Sequence, residues 1–176
     1  MTNVSLKATA YHEAGHAVVS FVLGRRFKRV SIEPMDDAAG YVEYYDNRII
    51  REILEGTCLV PWLMEHPDEE TRIVDRSICS AIAGYMAQEI GVPGSVTSEQ
   101  WDSDRELIID ILVRWDPDNG WDEARREVGT ILSSNWHLVE RLAEALLSRR
   151  TLTGKEARAI LAGPVFFSAG SPFYLM

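Results

Sequence analysis

The chemistry-bearing stretch of this sequence is His12-Glu13-Ala14-Gly15-His16, which reads H-E-x-x-H. On a helix, residues four apart lie one turn apart on the same face, so the two imidazoles can converge on one cation. Glu13 sits about 100° round that helix, too far to join them as a ligand but well placed to touch a water that the cation holds. Two neutral nitrogen donors beside one carboxylate are what zinc-dependent hydrolysis requires. The opposing reading is a core helix that happens to carry two histidines. Against it, the chain has only four histidines, and two of them frame this glutamate. Leu6, Tyr11, Ala14, Ala17, Val18, Val19, Phe21 and Val22 make the helix apolar on all sides, the mark of a buried helix. Buried imidazoles need partners, and a metal ion satisfies both together.

The motif lacks a third ligand, which other elements must bring. Ser5 is an N-cap and Gly24 a C-terminal stop for the first helix, over residues 5–23. Residues 29–33 alternate and end at Pro34, residues 36–40 are turn material, and residues 41–45 read as a second strand, giving a small antiparallel hairpin. Its edge either holds an extended peptide beside the site or merely covers the helix. Residues 47–68 are hard to read: 48–54 suit a short helix, but Gly56, Pro61 and Pro67 interrupt, and a long loop lining the site is the expectation. His66 lies there in a loop context without a paired ligand. A helix over residues 69–91 carries the stripe Val74, Ile78, Ala81, Ile82, Tyr85, Met86, with Glu89 continuing it three residues on. Val92-Pro93-Gly94-Ser95 breaks the chain before a helix over 102–115, closed by Asp116-Pro117-Asp118.

On that helix Asp104 stands one turn before Ile108, on the inward face with Ile111, Leu112 and Trp115. A carboxylate facing the core needs a reason. Capping is one, and metal ligation is the other; Asp102 suits the cap better, leaving Asp104 for the metal. Glu89 is the reserve, as a partner orienting a ligand or as the third ligand itself. Residues 122–150 are helical, in two pieces around 133–135, and His137 is an amphipathic-helix residue. Thr153 and Glu156 form a capping box for a last helix to Leu161.

The net charge of −9 and a pI near 4.9 argue against a nucleic-acid surface. No apolar run approaches the ~18 residues of a membrane span, and no secretory signal is visible. Cys58 and Cys79 make neither a disulfide framework nor a zinc site, and suit buried filler in a reducing, cytoplasmic setting. The expected organisation is a single domain over 1–176: a metal-site half to about residue 116, C-terminal helices at 122–162 and an apolar tail at 163–176. The expected fold is α+β, mainly α-helical with a small sheet near the N-terminus.

The run from Thr9 to Ala17 resembles the active-site helix of the FtsH-type ATP-dependent zinc metalloproteases, T-A-x-H-E-A-G-H-A. Three more blocks follow in the same order. Gly40-Tyr41 resembles the family's L-G-Y-T, residues 83–90 resemble G-G-R-A-A-E-E-I, and residues 132–161 resemble its C-terminal helices. The resemblance implies Zn²⁺ held by His12, His16 and Asp104, since Ser103-Asp104-Arg105 stands where the family has N-D-L. It implies Glu13 as the catalytic base and Gly40 and Tyr41 near bound substrate. Ser103, Arg105 and Gln88 depart from the pattern. The ATPase module and membrane helices that precede the peptidase domain in that family have no counterpart in these 176 residues. The expected activity is therefore metalloendopeptidase action on peptides or unfolded proteins, with a separate ATPase partner and a homo-oligomer as expected assemblies. The competing expectation is a catalytically reduced metal-binding module that partners an ATPase or another subunit.

Overall fold

The computed structural model describes residues 3–35, 38–58, 60–96, 98–115 and 120–163. The chain runs α1 (Asn3–Val22), β1 (Phe27–Ser31), β2 (Tyr41–Tyr44), α2 (Asn47–Leu54), α3 (Pro61–Glu65), α4 (Pro67–Gly91), α5 (Ser98–Trp115), α6 (Gly120–Ser134), α7 (Trp136–Arg149), β3 (Thr151–Thr153) and α8 (Gly154–Ala162). It is mainly helical with one small antiparallel sheet, an α+β fold. No helix among the described residues is long and apolar enough to cross a membrane.

Helix α1 is the centre of the molecule: every residue from His12 to Ser20 is buried. It is wrapped by α4, α7, α6 and the sheet. An element surrounded in this way gains no benefit from a polar face, which is why its sequence is apolar all round. Small residues let α4 come close. A Cβ on Gly15 would lie 2.4 Å from Ala87 Cβ and 2.5 Å from the Ala83 carbonyl oxygen, far inside van der Waals contact. On the other side Tyr11 stacks on Trp136 of α7, centroids 5.8 Å apart. Leu132, Val139, Leu142 and Leu146 of α6 and α7 fill the core behind it.

The hairpin is present and gains a third strand, in the order β2-β1-β3. Val30 pairs Val42 on one side and Leu152 on the other. Ser31 Oγ and Thr151 Oγ1 lie 2.7 Å apart, binding the sheet across 120 residues of sequence. Three strands with a helix packed on them are stable where a lone hairpin is marginal. Thr153 then caps α8: its hydroxyl accepts from Glu156 N–H while the Glu156 carboxylate accepts from Thr153 N–H at 2.8 Å.

Several expectations need adjustment. Residues 47–68 are not one long loop, since α2 and α3 occupy most of the span. Helix α5 begins at Ser98, so Asp102 falls in its second turn and does not cap it. The break at residues 133–135 is real, with α7 restarting after Asn135. The Asp116-Pro117-Asp118 stop and the tail from 164 to 176 lie outside the described residues. Cys58 and Cys79 are both free, the first half-buried and the second buried.

Candidate metal centre

Helix α1 presents His12 and His16 toward α4 and α5, both buried (9% and 6% exposed). Their rings meet edge to face with centroids 4.6 Å apart. They fit because α4 offers a glycine opposite them. A Cβ on Gly84 would stand 2.3 Å from His16 Nε2 and 2.7 Å from His12 Nε2, so any side chain there would occupy the imidazoles' space. Asp104 arrives from α5, with Oδ2 at 3.0 Å from His12 Nε2 and 3.2 Å from His16 Nε2. One ligand atom from each of the three residues lies within 4.8 Å of the others. Donors about 2.0–2.1 Å from a tetrahedral zinc stand roughly 3.3 Å apart, so these spacings suit such an ion.

The far side of each ring fixes its protons. His12 Nδ1 is 3.0 Å from Gln88 Oε1 and His16 Nδ1 is 2.6 Å from the Ser80 carbonyl oxygen, both acceptors. Gln88 cannot be turned round, because its amide nitrogen donates to Ser95 O (3.0 Å) and Ser95 Oγ (3.3 Å). Each Nδ1 therefore carries the proton, and both Nε2 lone pairs face the Asp104 carboxylate. Three acceptors turned on one point need something positive between them. Without metal a proton fills that role. Burial alone would lower His16, but the Asp104 charge, its hydrogen bond and the Ser80 carbonyl raise the pKa above the ordinary imidazole value. Burial likewise pushes Asp104 up, yet the His16 charge and the hydrogen bonds from both rings hold it well below the usual carboxylate range. A divalent cation fits the same space with both rings neutral.

Glu13, 4% exposed, lies beside this cluster. Burial pushes its pKa up to about 8, with His12 lowering it and Asp104 raising it. Gly40 covers it: a Cβ there would lie 2.8 Å from Glu13 Oε1, from the Ser31 carbonyl oxygen and from Thr9 Cγ2. His12, Glu13, His16, Gln88 and Asp104 open on a cleft of about 400 Å³, walled on the hairpin side by Gly40, Tyr41, Val42 and Tyr44 and on the α5 side by Leu107.

His12, Glu13, His16, Asp104, Gly40 and Tyr41, drawn from three separate stretches of sequence, thus share one cleft. Glu89 does not. It is exposed, and its carboxylate accepts the Gly94 N–H at 3.1 Å. The residue of α4 that reaches His12 is its neighbour Gln88, 1% exposed. The stripe of large apolar residues points to the wrong face; the signal for Gln88 was its position four residues after Gly84, on the small-residue face that meets α1. His66 is bound within its own turn, Nδ1 to the Trp62 carbonyl at 2.7 Å, and His137 is exposed. Sequence reasoning also missed Arg25, which is 5% exposed, ion-paired to Asp46 at 3.1 Å and part of the cleft lining.

No protein-family model matches the chain. The ATP-dependent zinc metalloprotease FtsH of Leptotrichia buccalis is 25% identical to it over 200 aligned residues. That alignment takes in 89% of this chain but 23% of the relative's length. Over most of its residues, then, the chain is distantly similar to one part of a zinc metalloprotease.

Proposed function

We propose that this chain is a zinc-dependent peptidase cleaving extended or unfolded polypeptide. The observation that supports it best is the convergence of His12 Nε2, His16 Nε2 and Asp104 Oδ2, with both Nδ1 protons already committed elsewhere. Among the described residues no fourth histidine, cysteine or carboxylate joins these three. Structural zinc sites use four protein ligands, whereas catalytic ones use three. Zinc held there would polarise a carbonyl and bring the pKa of a bound water toward ~7.

The remaining work belongs to the chain's own side chains. Glu13 takes the proton of the attacking water on a carboxylate oxygen and gives it to the leaving amine nitrogen. Gln88 and the Ser80 carbonyl hold the two imidazoles in the tautomer that leaves Nε2 free. Among the described residues strand β2 has a sheet neighbour on one side only, and its other edge offers main-chain hydrogen bonds to an extended peptide beside Glu13. Gly40 lets that backbone approach the carboxylate. A strand edge takes extended, unfolded chain, so folded substrates would call for a separate ATPase as partner.

Purified protein should hold about one zinc per chain, and His16→Ala should remove it. Glu13→Gln should keep the zinc while lowering casein hydrolysis by about 10²–10⁴-fold. Fully metallated wild-type protein that leaves casein uncut would defeat the proposal.

A further inference from the structure

One more polar group stands in the cleft with no part in this chemistry. Tyr44, the last residue of β2, lines the same space as Glu13, His16 and Asp104. Its ring is fixed by Arg25, whose guanidinium carbon sits 3.6 Å from the ring centroid. Arg25 in turn is clamped by Asp46, to which Nε donates at 3.2 and 3.1 Å and Nη2 at 3.1 Å. The phenolic oxygen is 3.1 Å from Ser20 Oγ, and Ser20 Oγ is 3.0 Å from Ser80 Oγ. Ser80 Oγ donates to the Arg76 carbonyl at 2.6 Å, and the backbone carbonyl of the same serine holds His16.

Counting protons along this chain gives Tyr44 a direction. A serine hydroxyl has one proton. Ser80 has given its own to Arg76, so toward Ser20 it only accepts. Ser20 has one proton for two neighbours. Ser20 Oγ is placed to donate to both the phenolic oxygen of Tyr44 and Ser80 Oγ. With the Ser20 proton on the phenolic oxygen, the Tyr44 proton is left for the cleft. Burial pushes the Tyr44 pKa up to about 12 despite the lowering effect of Arg25, so the phenol keeps its proton through the neutral range.

We propose that Tyr44 is a second catalytic residue, its O–H donating a hydrogen bond to the substrate carbonyl oxygen as negative charge builds there. Arg25 and Ser20 are the positioning residues that aim it. A neutral donor already oriented in a water-poor cleft stabilises developing charge without reorganising. The assignment rests on the peptidase reading. It gives the conserved-volume change Tyr44→Phe, which removes one oxygen and leaves the ring on Arg25, a specific signature.

In zinc-loaded protein, Tyr44→Phe should lower kcat on a casein-derived peptide about a hundredfold, with KM within threefold and zinc content and Tm unchanged. A phosphonamidate analogue of that peptide, which carries the charged tetrahedral centre, should bind the variant about a hundredfold more weakly than wild type. The cleavage products should bind both equally. A variant that keeps kcat within threefold, or that loses only KM or Tm, overturns the assignment of Tyr44 alone. Wild-type protein that holds zinc and cleaves nothing overturns the peptidase reading, and this assignment with it.

Discussion

Gly84→Ala isolates the geometry of the metal centre from the stability of the fold. A methyl group there would stand 2.3 Å from His16 Nε2 and 2.7 Å from His12 Nε2. Ordinary carbon contacts begin near ~3.5 Å, so the rings would have to retreat by roughly 1.2 and 0.8 Å. Metal–ligand distances tolerate about 0.2 Å. The displacement is several times that, and at least one imidazole is lost as a ligand. In zinc-finger peptides about 10–16 kcal/mol of zinc affinity is spread over four protein ligands, which makes one ligand worth roughly 3 kcal/mol, about a hundredfold in Kd. Global stability should change much less. Overpacking costs about 1–3 kcal/mol, while replacing a mid-helix glycine by alanine recovers about 1 kcal/mol. Chelator competition measures the first quantity, and a denaturant melt of the metal-free protein measures the second. Zinc binding within threefold of wild type would mean that the imidazoles do not meet the ion where α4 faces them.

Two further outcomes follow from the same cluster. Gln88→Leu removes the acceptor that orients His12, and should weaken zinc binding about 10–100-fold with the helix content of the circular dichroism spectrum retained; unchanged affinity would show that Gln88 has no hold on the ligand. The pH dependence has a definite sign. Glu13 in the metal-free protein is raised from 4.5 to about 8 and His16 is raised as well. Both contributions to stability are present below the unfolded values and lost as pH rises through the folded ones. Metal-free protein should therefore lose up to a few kcal/mol between pH 6 and 8. Zinc displaces those protons, so its affinity and the melting-temperature gap between zinc-loaded and EDTA-treated samples should both grow over that interval. A gap that shrinks with pH would refute the assignment of protons to this site.

Much of this arrangement is visible in the sequence because chemistry and burial leave marks there. His12, Glu13 and His16 stand out by type and spacing, and Asp104 by being an acid one turn from Ile108 on an inward face. The hairpin and the capping box at Thr153 follow from local rules. What local rules miss is set by partners far away in sequence. Thr151–Thr153 is too short to read as a strand and becomes one only against β1. Beside its buried large residues Val74, Ile78 and Ile82, α4 buries Ser80, Gly84 and Gln88, and it is these three that meet the imidazoles. Hydrophobic periodicity therefore favoured Glu89, one step and about 100° from the residue that touches His12. Arg25 is buried because Asp46 pairs with it and the Tyr44 ring lies under it, partners about 20 residues away in sequence.

The third strand has a consequence for when the cleft comes into being. Strand β2, which forms the wall facing α5, is anchored through β1, and β1 is completed only by a segment some 120 positions later. Contacts of such span form late, since a long loop must close before they reward it. The helix bearing both histidines leaves the ribosome well before β3, so the wall opposite it is braced late. A growing chain therefore holds both histidines long before it owns a finished groove to present them to anything else.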